Sequence, residues 1–327
     1  MDKSTKRILT GIQSTGTPHL GNILGAIIPA IKMSQSRNAE SYLFIADLHS
    51  ITQIKDSNTL KNNTYSTAAA WLAFGLDYKK TVFYKQSDIP QVTELAWYLS
   101  CYYPYSRLTL AHSFKDKQNI LKDINSGLFN YPMLMAADIL LYDANIVPVG
   151  KDQLQHLEIT RSAANRFHHT NGETFIIPQA DLNSENMSIP GTDGKKMSKS
   201  KNNIIDIFLD EKKLKKQIQS IKTDSTPIEK SKDWKSCNLF NIYKLIATKT
   251  QTKELKMKYE IGGYGYGHAK EDLLDLILTK YSKQREDFNY YMNNLNEIDN
   301  ILEIGSKKAI ETADGVLNRV RKKLGYN

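Results

Sequence analysis

Two short polar segments hold the residues of this chain that are best suited to chemistry on a phosphate. Residues 18–22 read PHLGN, and residues 196–200 read KMSKS within a glycine-containing loop. Backbone N–H groups at a helix start attract anions, which favours phosphate binding at the first segment, and the second adds two ammonium groups. We predict that together they form an ATP site, in which positive groups meet the charge that grows on the α-phosphate and the departing pyrophosphate as an adenylate forms.

A parallel α/β framework is predicted for the elements that position these segments. Over the first 200 residues, short apolar runs alternate with longer helical patterns. The predicted strands are residues 7–12, 41–46, 81–85, 146–149 and 175–177, and the predicted helices are residues 23–31, 60–74, 93–101 and 154–167. Pro29 should kink or break the first helix. The pattern favours a Rossmann-like doubly wound parallel sheet with ligands at the carboxyl ends of its strands.

The chain changes character after about residue 203. Long amphipathic patterns cover residues 204–221, 239–257 and 270–298, and the glycine-rich sequence at 262–267 is typical of a connection between helices. We predict a Rossmann-like catalytic domain over residues 1–203 and an all-helical domain over residues 204–327, whose last helix can pack back on the first domain.

Charge and composition are compatible with an RNA partner without requiring one. The 327 residues carry a formal net charge of +9, which favours a polyanion through counterion release, but a general richness in Lys, Asn and Ile has the same effect. No run approaches the ~20 apolar residues of a membrane helix, and the first residues lack a signal-peptide core. Cys101 and Cys237 have no metal-ligand spacing. We expect a cytoplasmic protein with two reduced cysteines.

The two polar segments resemble the HIGH and KMSKS signatures of class I aminoacyl-tRNA synthetases. Residues 11–13 (GIQ), 131–142 (YPMLMAADILLY), 147–156 (VPVGKDQLQH) and 262–265 (GGYG) are similar to the bacterial tryptophanyl-tRNA synthetases. This resemblance spans nearly the whole chain. It implies activation of L-tryptophan by ATP, with Mg²⁺ held mainly by the triphosphate, and transfer of the amino acid to the 3′ end of tRNA(Trp). It also implies a helical anticodon-reading domain and a homodimer that includes residues 121–129, with neither DNA nor a membrane as partner.

The resemblance implies three sets of site residues. A role in catalysis is implied for His19, Asn22, Lys117, Lys196 and Lys199. ATP contacts are implied for Gln13, Ser14, Thr15, Gly21, Asn22, Gly150, Lys151, Asp152, Asn186, Lys196, Met197, Ser198, Lys199 and Ser200. Tryptophan contacts are implied for Tyr131, Met135, Asp138 and Gln153, and no residue is implied as a metal ligand. His19 stands where many tryptophan enzymes have threonine, and Lys151 where an acidic residue is common.

Asp138 is the residue on which substrate choice would depend. An indole is apolar with one N–H donor, so its pocket needs a single acceptor that phenylalanine cannot use. Asp138 lies among apolar residues and could reject phenylalanine by roughly 10⁴-fold. The pattern alone equally allows a carboxylate that caps a helix start or forms an ion pair there, and the resemblance favours the substrate contact.

Three other interpretations of the sequence remain. A tyrosyl-tRNA synthetase shares the fold, but it normally carries a further RNA-binding module. The nucleotidyltransferases with a His-x-Gly-His motif lack the helical part and the loop that contains KMSKS at residues 196–200, which is called the lysine loop below. A synthetase-like protein without catalysis is the third. Gly191 and Gly194 are predicted to be flexing points of the lysine loop.

Overall fold

Five parallel strands form the sheet at the centre of the molecule. The computed structural model describes residues 6–35, 39–111, 125–150, 153–181 and 188–326. The strands are β1 (Lys6–Ile12), β2 (Ala39–Ile45), β3 (Val82–Lys85), β4 (Ile146–Pro148) and β5 (Gln179–Asp181), in the order β3-β2-β1-β4-β5. The order reverses between β1 and β4, which pair through Ile8 and Ile146. The predicted Rossmann-like doubly wound sheet is therefore confirmed.

Helices cover both faces of the sheet and make up the C-terminal part. They are α1 (Leu20–Asn22), α2 (Ile28–Ser34), α3 (Asp47–Ser50), α4 (Ser57–Ala73), α5 (Gln91–Tyr102), α6 (Tyr105–Leu108), α7 (Ser126–Leu140), α8 (Leu154–Asn171), α9 (Glu211–Gln219), α10 (Asn238–Ile246), α11 (Lys249–Ile261), α12 (Tyr266–Lys280), α13 (Ser282–Asn293) and α14 (Leu295–Leu324). Within the described ranges, no helix combines the length and the apolar character that crossing a bilayer demands.

The fifth predicted strand, at 175–177, is wrong, because the observed strand is Gln179–Asp181. The backbone N–H of Phe175 donates to Nε2 of His168 at 2.9 Å and so is not available to a sheet ladder. The Phe175 ring packs against Phe167 with the ring centroids 5.3 Å apart. The ladder starts only after Pro178, where the N–H of Gln179 donates to the carbonyl of Asn145.

The break predicted at Pro29 takes the form of a π-helical turn. Residues Ile23–Ile27 form this turn between α1 and α2, and the N–H of Ile28 donates to the carbonyl of Ile23. Pro29, at the start of α2, has no N–H to continue the ladder, so the helix widens just before it. Gly25 and Ala26 of this turn face the cavity described below.

The helical patterns of the C-terminal part predict the right class of structure but miss its breaks. Residues 204–210 are not helical, because the carbonyl of Ile205 accepts the N–H of Leu20 and the N–H of Asp206 donates to Oε1 of Gln217. The pattern at 239–257 divides at Thr248, which caps α11. The pattern at 270–298 divides at Tyr281 and Asn294.

An apolar core runs without interruption across residue 203. Ile205 and Leu214 join the same buried cluster as Leu20 and Trp71. Helix α14 lies along β3 and α5, and Arg321 near its end forms two hydrogen bonds to Glu94 of α5. The boundary at 203 and 204 therefore stays a prediction.

Helix α14 contains two glycines, Gly305 and Gly315, and we expect Gly305 to be the one that tolerates no side chain. A Cβ built there would lie 1.8 Å from the carbonyl oxygen of Phe83 in β3. We expect Gly305→Ala to lower the free energy of unfolding by about 3 kcal/mol, because the helix must move away from the strand. Gly315→Ala on the same helix has no heavy atom within 4 Å, and it should raise stability by about 1 kcal/mol. Urea denaturation of both variants checks the pair, and equal effects would contradict this account of the packing.

Candidate active site

A cavity of about 540 Å³ opens at the carboxyl ends of β1 and β4. Gly11 and Gln13 line it at the end of β1, and Gly150 lines it after β4. Tyr131 and Asp138 reach it from α7. The cavity thus lies where the strand order reverses, which is the position expected for a ligand in this fold.

Asp138 lies in the wall of this cavity and is 3% exposed. Its Oδ2 lies 2.9 Å from Nε2 of His49, and the side-chain amide of Gln86 donates to Oδ1 at 2.9 Å and to Oδ2 at 2.8 Å. Burial raises the pKa of Asp138, while the contacts with His49 and Gln86 oppose that rise. A carboxylate has about four acceptor positions, and the described residues occupy three of them, which leaves one position on Oδ1 for a ligand donor.

The neighbours of Asp138 were missed by the sequence analysis. His49 lies in α3 directly after β2, and Gln86 follows β3. The carboxylate of Asp47 connects these two strand ends, because it accepts hydrogen bonds from the backbone N–H of Ser87 at 2.9 Å and from the Ser87 hydroxyl at 2.5 Å. Polar residues that follow buried parallel strands were a usable signal, because the carboxyl ends of such strands share one edge of the sheet.

The other residues implied for tryptophan lie around the same cavity. Tyr131, Met135 and Gln153 all line it. The amide of Gln13 donates to the hydroxyl of Tyr131 at 2.7 Å, and the rings of Tyr131 and His49 lie 4.3 Å apart between centroids. Burial raises the pKa of Tyr131 to about 12, so the phenol stays protonated at neutral pH. Gln13, implied as an ATP contact, therefore lies against a residue of the tryptophan set.

The PHLGN segment and the lysine loop meet beside this cavity. His19 caps α1: its Nδ1 accepts the N–H of Asn22 at 3.3 Å, and its own N–H donates to Oδ1 of Asn22 at 3.2 Å. The N–H of Gly21 donates to Sδ of Met197 at 3.3 Å, across 176 positions of sequence. The Lys199 ammonium lies next to Gly16, where an added Cβ would be 3.1 Å from it.

Burial perturbs both charged groups at this meeting point. The pKa of His19 falls to about 4 through burial and the nearby positive charge of Lys199, so the imidazole is neutral at pH 7. Burial also lowers the pKa of Lys199 to about 8, against the opposing effect of the Asp206 carboxylate. Lys199 is therefore still mostly charged at neutral pH.

The remaining implied residues fall into three groups. Asn22, Gly150 and Lys196 line the cavity, whereas Thr15, Ser198 and Ser200 do not. The hydroxyl of Ser14 does not face the cavity either, since it is engaged with Ser50 at 3.2 Å and with Thr64 at 3.3 Å. Lys117, Lys151, Asp152 and Asn186 lie outside the described residues, as do residues 121–124 of the implied dimer segment.

The fold and the paired motifs define a class of enzyme, and the family model for class I tRNA synthetases (W and Y) matches residues 1–282. The chain belongs to this family. The tryptophan–tRNA ligase of Campylobacter jejuni strain RM1221 is 45% identical over 319 residues, which are 98% of this chain and 99% of that protein. The tryptophan–tRNA ligase of Rhodopirellula baltica is 43% identical over 319 residues, with the same two shares covered.

Solved structures of tryptophanyl-tRNA synthetases are also similar to this chain. The crystal structure of tryptophanyl-tRNA synthetase from Campylobacter jejuni, complexed with ADP and tryptophan, has a TM-score of 0.93 and 45% identity, and covers 98% of this chain and 99% of that chain. The enzyme from Mycoplasma pneumoniae has a TM-score of 0.80 and 28% identity, and covers 99% of this chain and 98% of that chain.

Proposed function

We propose that this protein activates L-tryptophan with ATP to tryptophanyl-adenylate and transfers the amino acid to the 3′ end of tRNA(Trp), releasing AMP and pyrophosphate. The observation that carries this proposal is that one buried acid, Asp138, and one loop lysine, Lys196, line the same cavity at the switch point of the sheet, while Lys199 lies beside Gly16 where the two motifs meet. Full-length identity of 43–45% to tryptophan–tRNA ligases supports it. The ADP and tryptophan bound to the Campylobacter jejuni enzyme support ATP as a substrate.

In the proposed tryptophan subsite, the indole enters the cavity between Met135 and Tyr131. Its N–H donates to Oδ1 of Asp138, which accepts one hydrogen bond from the described residues, that of Gln86. His49 and Gln86 hold this carboxylate in place, which reduces the ordering cost on binding. Phenylalanine would leave that buried acceptor unpaired, so it should be rejected. Tyr131 and Gln153 are proposed to bind the α-amino group.

In the proposed phosphate subsite, no side chain acts as a nucleophile. The tryptophan carboxylate attacks the α-phosphate in line, and the bond to the departing pyrophosphate breaks. Lys196 and Lys199 meet the charge that develops on the pyrophosphate, while neutral His19 borders the triphosphate. The N–H groups of Leu20, Gly21 and Asn22 already donate to Ile205, Met197 and His19, so the proposal does not use them as phosphate donors. The 2′-hydroxyl of the terminal tRNA adenosine then attacks the adenylate carbonyl, and AMP leaves.

Mg²⁺ is proposed to reach the site on the triphosphate. Over the described ranges, no three His, Cys, Asp or Glu side chains are grouped closely enough to hold a metal ion. Octahedral Mg²⁺ commonly uses substrate oxygens and waters, which suits a site built from amides and ammonium groups. When bound, the ion would neutralise triphosphate charge that the lysines do not reach.

The helical part is proposed to bind the anticodon end of the tRNA. Residues 212–258 contain 13 lysines and four acidic residues, an excess of nine positive charges that equals the formal net charge of the whole chain. The charge is thus concentrated in one segment, which a general composition bias does not explain. In this segment Trp234 lies near two ammonium groups, with Lys256 at 4.6 Å and Lys235 at 5.7 Å from its ring centroid. Aromatic rings and cations of this kind suit splayed RNA bases.

We further propose a homodimer that works in the cytoplasm. Trp97 and Tyr105, on α5 and α6, are 68% and 73% exposed, and Leu110 beyond them is 56% exposed. Large apolar side chains exposed at a surface suit contact with a second copy. Light scattering on the intact chain tests the assembly.

Amino-acid-dependent ATP–pyrophosphate exchange with all twenty amino acids tests the proposed function. Exchange driven by tryptophan alone is the expected result, followed by charging of tRNA(Trp) transcript. Exchange driven by tyrosine instead would assign the other branch of the family. No exchange with any amino acid would contradict the proposal.

The pKa of Lys199 leads to a testable pH dependence. The ammonium is present below its pKa of about 8 and lost above it, so kcat/KM for ATP should fall as the pH rises through about 8. His19, with a pKa of about 4, does not titrate in this range. Lys199→Arg keeps its charge, so its profile should stay flat there, even at a lower rate. Exchange rates at subsaturating ATP check this, and a flat wild-type profile would contradict it.

A further inference from the structure

Asn203, just after the KMSKS segment, is connected to that segment by all of its side-chain polar atoms. It is 2% exposed. Its Oδ1 accepts the backbone N–H of Ser198 at 2.7 Å, and its Nδ2 donates to Oδ1 of Asp193 at 2.7 Å and to the carbonyl of Lys196 at 3.2 Å. Its backbone carbonyl accepts the N–H of Thr192 at 2.9 Å. The buried Asn203 side chain thus bonds both to Asp193, before the KMSKS segment, and to Lys196 and Ser198 within it.

The rest of the loop is shaped around this amide. A Cβ on Gly191 would lie 2.4 Å from the Asn203 carbonyl oxygen, so the backbone approaches Asn203 too closely for any side chain. Asp193 also accepts the N–H of Lys195 at 3.0 Å, which fixes the carboxylate that faces the Asn203 amide. Gly191, predicted to be a flexing point, is therefore placed here by a packing requirement. The flexing role stays a prediction.

Asn203 bonds to the backbone of residues that carry the lysine loop but does not touch the cavity. Lys196 contributes its carbonyl to Asn203 and is one of the residues that line the cavity. Ser198, the other contact, directly precedes Lys199, whose ammonium lies beside Gly16. Asn203 itself is not among the residues that line the cavity. A change at Asn203 should therefore reach the lysines and leave the Asp138 region intact.

We propose that Asn203 is a positioning residue for the activation step: its amide holds the backbone at Lys196 and Ser198 so that the Lys196 and Lys199 ammonium groups face the leaving pyrophosphate. This inference rests on the proposed function. Since the lysines act on charge that grows in the transition state, their displacement lowers kcat more than it changes substrate binding. A displacement of about 1 Å can cost about 100-fold in rate.

Asn203→Ala and Asn203→Asp test the role together. Alanine removes all three side-chain hydrogen bonds. Aspartate keeps the volume and the acceptor for Ser198, but it loses the donor and places an oxygen against Asp193. In tryptophan-dependent exchange, we expect kcat to fall about 10–100-fold in both variants, with KM for tryptophan within about twofold of wild type. Asn171→Ala at the end of α8 removes an amide that makes two side-chain hydrogen bonds far from the loop, and its kcat should not change.

Two further measurements separate positioning from general destabilisation. Trypsin should cleave after the lysines at 195, 196, 199 and 201 about 10-fold faster in the Asn203 variants, with cleavage elsewhere unchanged, because the loop opens locally. Asp193→Ala combined with Asn203→Ala should cost no more in kcat than Asn203→Ala alone, because both changes break one network.

The results are decisive in either direction. The expected kcat loss with faster loop cleavage supports the positioning role. An unchanged kcat in Asn203→Asp would overturn it. A lower melting temperature in both variants, with tryptophan affinity reduced by the same factor as kcat, would also overturn it. Failure of the wild-type protein to exchange with tryptophan would instead refute the proposed function, while the trypsin result would still report whether Asn203 holds the loop.

Discussion

Lys199→Ala is expected to lower kcat for tryptophan-dependent ATP–pyrophosphate exchange by about 10²–10³-fold, the usual effect of removing one prearranged group from a developing charge. The Lys199 ammonium is half-buried beside Gly16, and its charge acts on His19 across the contact between the two motifs. A half-buried cation close to the phosphates acts more strongly than a solvated one. Tryptophan binding, measured by equilibrium dialysis, should not change, because Lys199 does not line the cavity.

Lys201→Ala provides the matched control for this prediction. Lys201 lies in the same short 3₁₀ turn, Lys199–Lys201, but its side chain is exposed. The substitution removes one lysine from the same loop, so kcat should stay within about twofold of wild type. Equal losses in the two variants would mean that the loop contributes only general positive charge, and the specific role of Lys199 would be wrong.

Asp138→Asn is expected to reduce the preference for tryptophan over phenylalanine by about 100-fold or more, out of roughly 10⁴-fold. An amide oxygen has two acceptor positions where the carboxylate has about four. His49 and Gln86 both bond to Oδ2 of Asp138, so an asparagine whose oxygen keeps these two contacts places its NH2 group at the Oδ1 position, where it cannot accept the indole N–H. The ratio of kcat/KM for the two amino acids in the exchange assay measures the effect, and KM for ATP should change much less.

Asp47→Asn is the control for Asp138, since Asp47 is also a buried acid at the strand ends. It bonds to Ser87 and does not line the cavity. Asparagine keeps an oxygen for the N–H of Ser87 and loses the acceptor for the Ser87 hydroxyl. The melting temperature should therefore fall, while the strand ends that carry His49 and Gln86 stay joined and the preference for tryptophan does not change. If Asp138→Asn weakens ATP and tryptophan equally, or if Asp47→Asn changes the preference as much, Asp138 is not the acceptor for the indole.

Local sequence was enough to predict the strands that carry a short apolar run. The predicted bounds of β1 to β4 agree with the structure to within two residues at each end, because parallel strands read as apolar runs. The connection between helices predicted at 262–267 is confirmed, although α12 already begins at Tyr266. The C-terminal patterns, in contrast, ran through real breaks at Thr248 and Tyr281, because an amphipathic period continues across a cap.

The candidate site was predictable only where a motif is continuous along the chain. PHLGN and KMSKS each present their polar groups within five residues, so each motif predicts a phosphate-binding role without any knowledge of the contact between them. The partners of Asp138 are 89 and 52 positions away, at His49 and Gln86. Nothing in the residues around Asp138 indicates these partners, because they reach it from the ends of two other strands.

The sequence by itself determined the class of fold, and it predicted the two segments proposed for the phosphates and the acid proposed for the indole, because helix and strand periods and motif residues are local properties. Tertiary structure alone decided that the acid is held by His49 and Gln86, that residues 204–210 pack against α1 as non-helical chain, and that Asn203 carries the lysine loop. The physical reason is that buried polar groups must find partners wherever the fold brings them. Those partners are set by the order of the strands, which adjacent residues do not encode.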